Sequence, residues 1–316
     1  MNQEQDFPGF SIHLMHRLIP VYGENFLNYG NVDEYWINEA NYDFYVSVYD
    51  PLRDLTQNVI ELAELFSSEG RKSMIYGAGR RASDIWLAYK CFQEIASPNR
   101  KSGLNSNERD VLSKELNSIY INTRGVLDNW AQALLLEFDP YSAANLKPVN
   151  VGLFNKCIMG NATFQDLTND LNSIPSGGQK SRVEKYSHNE WFNTELKARR
   201  DESAHRIPLH VIQVLTEADQ EIFYRLTARR NELLSDVRPE NAANNIVEAA
   251  RYHKEASSIG VFAPYFICDP DGPQTAFYPT IPEDMRRLIL IFRCIKKFVY
   301  KNRMVKSVGM GREEMV

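Results

Sequence analysis

The chain has 316 residues, of which 43% are hydrophobic and 24% are charged. This length can form a substantial core in one large domain or two smaller ones, and the composition excludes a mainly disordered chain. The net charge of -5 does not indicate nucleic-acid binding by the chain as a whole. A nucleic-acid partner would therefore need a local basic patch.

The cysteines and the N-terminal residues indicate the cellular compartment in which we expect the protein. The four cysteines are scattered, with no CxxC or CxxH spacing: Cys91, Cys157, Cys268 and Cys294. This pattern argues against a zinc ribbon and a disulfide framework, and we expect no metal and no cofactor. The first residues lack a secretory signal, and no stretch approaches the roughly 18 apolar residues of a membrane span. We expect a cytoplasmic protein without a membrane partner.

The first periodic stretches predict two helices, over 52–69 and 81–96. Between them, residues 76–81 (YGAGRR) imitate a glycine-rich nucleotide loop. Only the short apolar stub 74–76 precedes this segment, so a βαβ nucleotide-binding unit is not indicated. We interpret the segment as a helix-entry turn.

The next helix has the clearest signals at both ends. Asn105 and Glu108 form an N-x-x-E capping pair, and Leu104 can act as a hydrophobic staple. Apolar residues then recur every three or four positions as far as Phe138. Asp139 precedes a proline and is therefore pushed out of helical geometry. The pattern predicts one long helix over 105–138, of the kind found in helical bundles.

The rest of the chain predicts more helices and one β-hairpin. Two apolar runs, 261–268 and 275–278, flank the turn dipeptide Asp271-Gly272, which predicts a hairpin near 260–280. The remaining periodic segments predict helices over 150–158, 163–172, 189–204, 215–235, 240–256 and 282–303. The fold class is therefore mainly α with a small β-hairpin.

One local basic segment exists near the C-terminus. Between Arg286 and Lys306 the chain carries eight basic residues and no acidic one. The segment can be a nucleic-acid-binding patch, or it can cover the solvent side of the last helix. The sequence leaves both interpretations open.

The segment 200–205 (RDESAH) carries the strongest indication of chemistry. In a helix, Arg200 and His205 lie about 140° apart, and Asp201 is four residues before His205. Asp201 can therefore hold the imidazole in one tautomer. A guanidinium beside an imidazole suits phosphodiester cleavage, because one stabilises negative charge while the other positions or moves a proton.

Two segments resemble the HEPN superfamily of helical proteins. Arg200, Asp201 and His205 fill the places of its R-x4-H signature, in which a polar residue follows the arginine. The surrounding run 196–209 (LKARRDESAHRIPL) is similar to an R-D-x-x-A-H-R-I-P-L run in a bacterial HEPN-like subgroup. The same subgroup carries an R-G-x-L-D-N pattern upstream, which residues 124–129 (RGVLDN) match here.

This resemblance implies a HEPN-like helical bundle with flanking helices. The predicted organisation is an N-terminal helical extension over 1–100, a HEPN-like core over 101–210 and C-terminal helices with the hairpin over 211–316. The resemblance to active members of the superfamily implies a metal-independent endoribonuclease that dimerises and acts as a toxin or antiviral effector. The implied partners are thus an RNA substrate, a second copy of the chain and a regulatory protein.

The resemblance also implies a site. Arg200, Asp201 and His205 would be catalytic, and the matched residues Arg124, Asp128 and Asn129 would complete a polar cleft. An alternative is that Arg124 and Asp128 are only a buried ion pair that locks two helices together. Other HEPN members have lost catalysis and act as interaction or nucleic-acid-binding modules, so a non-catalytic module is the alternative function. A metal- or nucleotide-dependent enzyme has no spacing in its favour.

Overall fold

A computed structural model provides the structure of the chain. It describes residues 48–96, 104–147, 150–175 and 186–200, and residues 209–313 except for 212, 214, 216, 237, 260–264, 268–273 and 278–279. Within these ranges the fold is mainly α-helical with one small sheet, as the sequence predicted.

The first helices are shorter than predicted. Helices α1 (Asp50–Arg53), α2 (Leu55–Ala63) and α3 (Ser68–Lys72) replace the single predicted helix over 52–69. A π-helical segment, Ser73–Gly79, then leads directly into α4 (Arg80–Ile95). The interpretation of 76–81 as a helix-entry turn is therefore wrong, because these residues continue a helix that has already begun.

Helix α5 (Ser106–Phe138) confirms the long predicted helix. Its capping pair is formed: Asn105 N donates to Glu108 Oε2 at 2.9 Å, and Glu108 N donates to Asn105 Oδ1 at 3.0 Å. Asp139 leaves helical geometry and caps α6 (Pro140–Asn145) by accepting a hydrogen bond from Ser142 N at 3.1 Å. The aspartate before proline thus ends one helix and begins the next.

The middle of the chain forms short elements. Helix α7 (Lys156–Met159), a 3-10 turn (Ala162–Phe164) and α8 (Gln165–Asn172) precede α9 (His188–Trp191). Ser187 and Glu190 form a capping box at the start of α9. The helix continues through a π-helical segment, Phe192–Leu196, and is α-helical again over 197–200. The last residues of the predicted helix 189–204 lie outside the described range.

The small sheet has one more strand than predicted. Strands β2 (Tyr265–Ile267) and β3 (Gln274–Ala276) pair antiparallel and confirm the hairpin, and β1 (His210–Val211) pairs antiparallel with β2. The sheet is accompanied by two helices, α10 (Glu217–Ser235) and α11 (Pro239–Ser257), which pack against each other. A final helix, α12 (Thr280–Glu313), confirms the predicted helix over 282–303 and extends beyond it.

The chain divides into two compact units that interleave along the sequence. The first contains the described residues of 91–115 and 209–279, and the second contains those of 48–90, 116–208 and 280–313. Helices α4 and α5 each contribute residues to both units. The division into 1–100, 101–210 and 211–316 stays a prediction about organisation along the sequence. No described helix combines the length and apolar character needed to cross a membrane.

The core of the second unit is aromatic. Phe138 of α5 contacts Phe66 and Phe298, with ring centroids 6.3 Å and 5.2 Å away, and Trp130 contacts Phe292 at 5.5 Å. Trp130 is fully buried. Each buried side chain of this size contributes roughly 1.5–3 kcal/mol relative to an exposed one. These contacts pack the C-terminal half of α5 against α12.

The interface between α5 and α12 also contains a buried carboxylate. Asp284 of α12 is 4% exposed and accepts hydrogen bonds from Tyr120 Oη at 2.9 Å and Trp191 Nε1 at 2.8 Å. Arg199, which is 5% exposed, donates at 2.6 Å to Asp284 Oδ2, the oxygen that also accepts from Tyr120, and it also pairs with Glu195. The carboxylate thus joins α5, α9 and residue 199 to α12.

Removing the negative charge of Asp284 should destabilise the fold strongly. Asp284→Asn leaves the buried Arg199 short of a charge partner, and breaking such a pair costs about 3–5 kcal/mol. The matched control is Asp170→Asn, which breaks an exposed pair with Lys297 of the same helix and should cost at most about 1 kcal/mol. Urea unfolding measures both free energies. Equal losses of unfolding free energy in the two variants would show that the buried pair stabilises the fold no more than the exposed pair.

His188 makes stability depend on pH. Its side chain is 3% exposed, and burial lowers its pKa to about 4, with the positive charge of Arg287 acting in the same direction. The unfolded chain takes up the proton near pH 6.5, so protonation favours unfolding. The contribution of His188 to stability is therefore complete above pH 6.5 and declines as the pH falls towards 4.

We expect the free energy of unfolding to fall between pH 7 and pH 4.5, and His188→Gln should reduce this fall by about 2–3 kcal/mol. Glutamine stays neutral over the whole range, while carboxylates titrate equally in both proteins. Urea unfolding at the two pH values gives the difference. An identical pH dependence in both proteins would exclude His188 as its source.

Candidate functional site

The site begins with an ion pair on one face of α5. Arg124 and Asp128 are one turn apart, and Arg124 Nε lies 3.2 Å from Asp128 Oδ2. The Arg124 guanidinium also lies over the ring of Phe192, 4.5 Å from its centroid. A cation above an aromatic face is attracted to it. Arg124 therefore connects α5 with the π-helical segment that leads to Arg200.

Arg200 lies at the end of this segment and acts on the same carboxylate. Burial raises the pKa of the Asp128 carboxyl, and the positive charges of Arg124 and then of Arg200 oppose this rise, so Arg200 interacts electrostatically with the same carboxyl. Arg200 is half-buried, whereas its neighbour Arg199 is fully buried on Asp284. The Asp128 carboxyl is thus coupled by charge to arginines of both segments that resemble HEPN proteins, Arg124 and Arg200.

Asn129, also part of the matched pattern, faces the other π-helical segment, Ser73–Gly79. Its backbone carbonyl accepts a hydrogen bond from Ser73 Oγ at 3.1 Å. Its side-chain amide lies against Gly77, where a Cβ atom would come within 2.5 Å of Asn129 Nδ2. The close approach explains why a glycine suits position 77. Asn129 therefore holds segment 73–79 against α5.

Arg81 of α4 also belongs to the charged residues around Asp128, and the sequence analysis missed it. Its Nη1 donates to Asn122 Oδ1 at 3.1 Å, and its guanidinium lies across Gly125 of α5. A Cβ at position 125 would come within 2.4 Å of Arg81 Nη1 and 2.5 Å of Arg81 Cζ. Glycine inside a long helix costs about 1 kcal/mol relative to alanine. That unfavourable glycine was the signal of a close approach at this point.

We call Arg81, Arg124, Asp128 and Arg200 the Asp128 cluster. Burial raises the pKa of the Asp128 carboxyl, and this effect is opposed by Arg124, then by Arg200 and then by Arg81. Each of the three guanidiniums carries one positive charge. The cluster therefore sets three guanidiniums against one carboxylate. Such a half-buried cationic site suits an anionic group such as a phosphate.

Two predicted catalytic residues, Asp201 and His205, lie outside the described residues. Their catalytic roles stay predictions, and so does that of Arg200. Within the described ranges, no group of three or more histidine, cysteine, aspartate or glutamate side chains is arranged to hold a metal ion.

Four of the eight basic residues in the segment from Arg286 to Lys306 are engaged within the protein. Lys297 pairs with Asp170 at 2.8 Å, Lys301 pairs with Asp166 at 2.5 Å, and Arg303 pairs with Glu137. Arg287 is 2% exposed and donates to the carbonyl oxygen of Ser187. These charges hold α12 to its neighbours, which favours the interpretation of the segment as helix surface and packing over that of a nucleic-acid patch.

No protein-family model, curated protein or solved structure matches the chain. The resemblance to HEPN proteins therefore rests on the residues of segments 124–129 and 196–209.

Removing the positive charge of Arg124 or of Arg200 should raise the pKa of the Asp128 carboxyl further. Arg124→Gln and Arg200→Gln each remove a positive charge that favours the ionised carboxylate. The carboxyl carbon of Asp128, followed by NMR as a function of pH, reports this pKa directly. Arg80→Gln, which removes an exposed charge lying over Tyr76, should shift it less. An unchanged pKa in Arg200→Gln would mean that Arg200 does not face Asp128.

Proposed function

We propose that this protein is a HEPN-type, metal-independent endoribonuclease whose site combines the Asp128 cluster with Asp201 and His205. The observation that supports it is the pairing of Arg124 with Asp128 at 3.2 Å, together with the electrostatic effect of Arg200 on the same carboxyl, because these residues come from the two HEPN-like segments. Two segments that match the same family and also share a site are stronger support than either alone. The cationic character of the cluster fits the phosphodiester of an RNA substrate.

The proposed reaction uses the ribose hydroxyl of the substrate. The 2′-oxygen attacks the adjacent phosphorus in line, the bond between phosphorus and the 5′-oxygen breaks, and a 2′,3′-cyclic phosphate remains. His205 positions the 2′-hydroxyl or takes its proton, and Asp201 orients the imidazole. The departing 5′-oxygen acquires a proton from solvent or from an acid in the site. Arg200 stabilises the negative charge that develops on the phosphorane.

Arg124 and Asp128 have supporting roles in this proposal. Because Asp128 is charge-paired with Arg124 at 3.2 Å, it limits the repulsion among the guanidiniums and keeps them together. Arg124 is also held by Phe192. The pair therefore preorganises the positive charge before substrate arrives, which is how electrostatic stabilisation becomes effective in catalysis.

The biological role that we propose follows the HEPN resemblance. The protein would act as a toxin or antiviral effector in the cytoplasm, as a homodimer that places two R-x4-H motifs in one cleft. A regulatory protein partner would keep such an RNase silent until it is needed.

A non-catalytic HEPN-like interaction or nucleic-acid-binding module is the second candidate function. The ion pair between Arg124 and Asp128 and the negative net charge of the chain favour it. In that case the Asp128 cluster would bind a partner or stabilise the packing of α5 against residues 192–200.

Purified protein should cleave single-stranded RNA in the presence of EDTA, and His205→Ala should lower the rate by about 100-fold or more, the usual contribution of general acid–base catalysis. The products should carry cyclic phosphate ends, which mass spectrometry identifies. His253→Ala is the matched control, since His253 lies exposed on α11 and should leave the rate unchanged.

Two results would reject the ribonuclease. One is equal cleavage by the original protein and His205→Ala, which would indicate a contaminating nuclease. The other is the absence of cleavage across RNAs of varied sequence and structure, which would favour the non-catalytic module.

A further inference from the structure

A cleft of about 320 Å³ lies between the first two helices and α12. Asp50, Asp54 and Asn58 line it from the side of α1 and α2, at every fourth position. Arg293 and Lys296 line it from α12 and are three positions apart. Since residues three or four positions apart lie on the same side of a helix, an acidic helix face and a basic one border the same cleft.

The floor of this cleft is apolar. Leu55, Ile289 and Phe292 line it, and all three are almost fully buried. Phe292 also packs on Trp130 of α5, with ring centroids 5.5 Å apart. The floor therefore belongs to the packed core of the second unit and presents a fixed apolar surface. A ligand that covers this surface with an apolar group gains binding free energy from its burial.

The acidic wall is only partly neutralised by a neighbouring arginine. Arg53 Nη1 lies 2.9 Å from Asp50 Oδ1, and Arg53 Nε lies 2.9 Å from Asp54 Oδ1. One guanidinium is thus shared by two carboxylates, and it contacts a single oxygen of each. The wall keeps a net negative charge, and each carboxylate has a second oxygen that can accept a hydrogen bond from a cationic group.

The basic wall is not neutralised by the acidic one. Across the part of the chain that the structure describes, no ion pair joins Arg293 or Lys296 to a carboxylate, and Arg293 donates no hydrogen bond. Lys296 Nζ lies 6.0 Å from the centroid of the Tyr300 ring on its own helix. Opposite charges therefore border one cleft without pairing with each other, which suits a molecule that carries both charges.

We propose that this cleft binds a small zwitterion, a free amino acid with an aliphatic or aromatic side chain. Arg293 and Lys296 hold its carboxylate, for which the planar fork of a guanidinium is well matched. Asp50 and Asp54 accept hydrogen bonds from its ammonium group, and its side chain covers the apolar floor. The volume of the cleft lies in the range of small-molecule sites, which combine an apolar lining with a few polar groups. The site does not depend on ribonuclease activity.

Titration of the full-length protein with L-leucine and L-phenylalanine tests the proposal. Calorimetry gives the affinity, and NMR locates the ligand: the methyl signals of Leu55 and Ile289 should shift, whereas those of Val211 in the first unit should not. Arg293→Gln and Asp54→Asn should each weaken binding about tenfold or more, because each removes a charge-assisted hydrogen bond to the ligand.

Two analogues of leucine assign each charge of the ligand to a wall of the cleft. Leucinamide lacks the carboxylate, and 4-methylpentanoate lacks the ammonium group. Loss of the carboxylate should weaken binding to the original protein but have little further effect in Arg293→Gln, because the partner of that carboxylate is already gone. Loss of the ammonium group should likewise have little further effect in Asp54→Asn.

Lys297→Gln and Glu61→Gln are the matched controls. Both residues are exposed and lie on α12 and α2 outside the cleft, so both variants should keep the original affinity. Circular dichroism and urea unfolding establish that each variant is folded. The proposal is overturned if neither amino acid binds, if 4-methylpentanoate binds as tightly as leucine, or if the controls weaken binding as much as Arg293→Gln and Asp54→Asn do.

Discussion

The buried carboxylate of Asp284 holds together the segments that carry the candidate site. It is stable in the core only because Tyr120, Trp191 and Arg199 all donate to it, so the positions of these three donors depend on one another. Arg199 and Arg200 are consecutive, and successive residues of a helix point about 100° apart. The attachment of Arg199 to Asp284 therefore directs Arg200 to another side, where it reaches the Asp128 cluster.

Two carboxylates in the same unit thus have different surroundings and different consequences. Asp284 is almost fully buried, and its oxygens are occupied by donors from three segments. Asp128 is only half-buried and is outnumbered by the guanidiniums of Arg81, Arg124 and Arg200. The first arrangement uses an arginine in packing, whereas the second sets three guanidiniums against one half-buried carboxylate. The position of an arginine relative to these two carboxylates therefore decides whether it stabilises the fold or serves the site.

Local sequence signals predicted the elements but not the contacts between them. The capping pair of Asn105 and Glu108, the aspartate before proline at 139 and the hairpin strands depend on neighbouring residues, and the structure confirms them. Strand β1 and the donors to Asp284 depend on residues far apart in the chain, which periodicity does not relate. The π-helical segment 73–79 was also missed, because its glycines resemble a turn until Asn129 is seen packed on Gly77.

The use of the basic residues of α12 in packing has a consequence for any anionic ligand. Lys297, Lys301 and Arg303 are paired with carboxylates, and the chain as a whole is negatively charged. Long-range attraction of a polyanion is therefore weak, and binding would depend on a few short-range contacts inside the Asp128 cluster. Gly125 matters to the cluster because a side chain at this position would displace the guanidinium of Arg81 from α5.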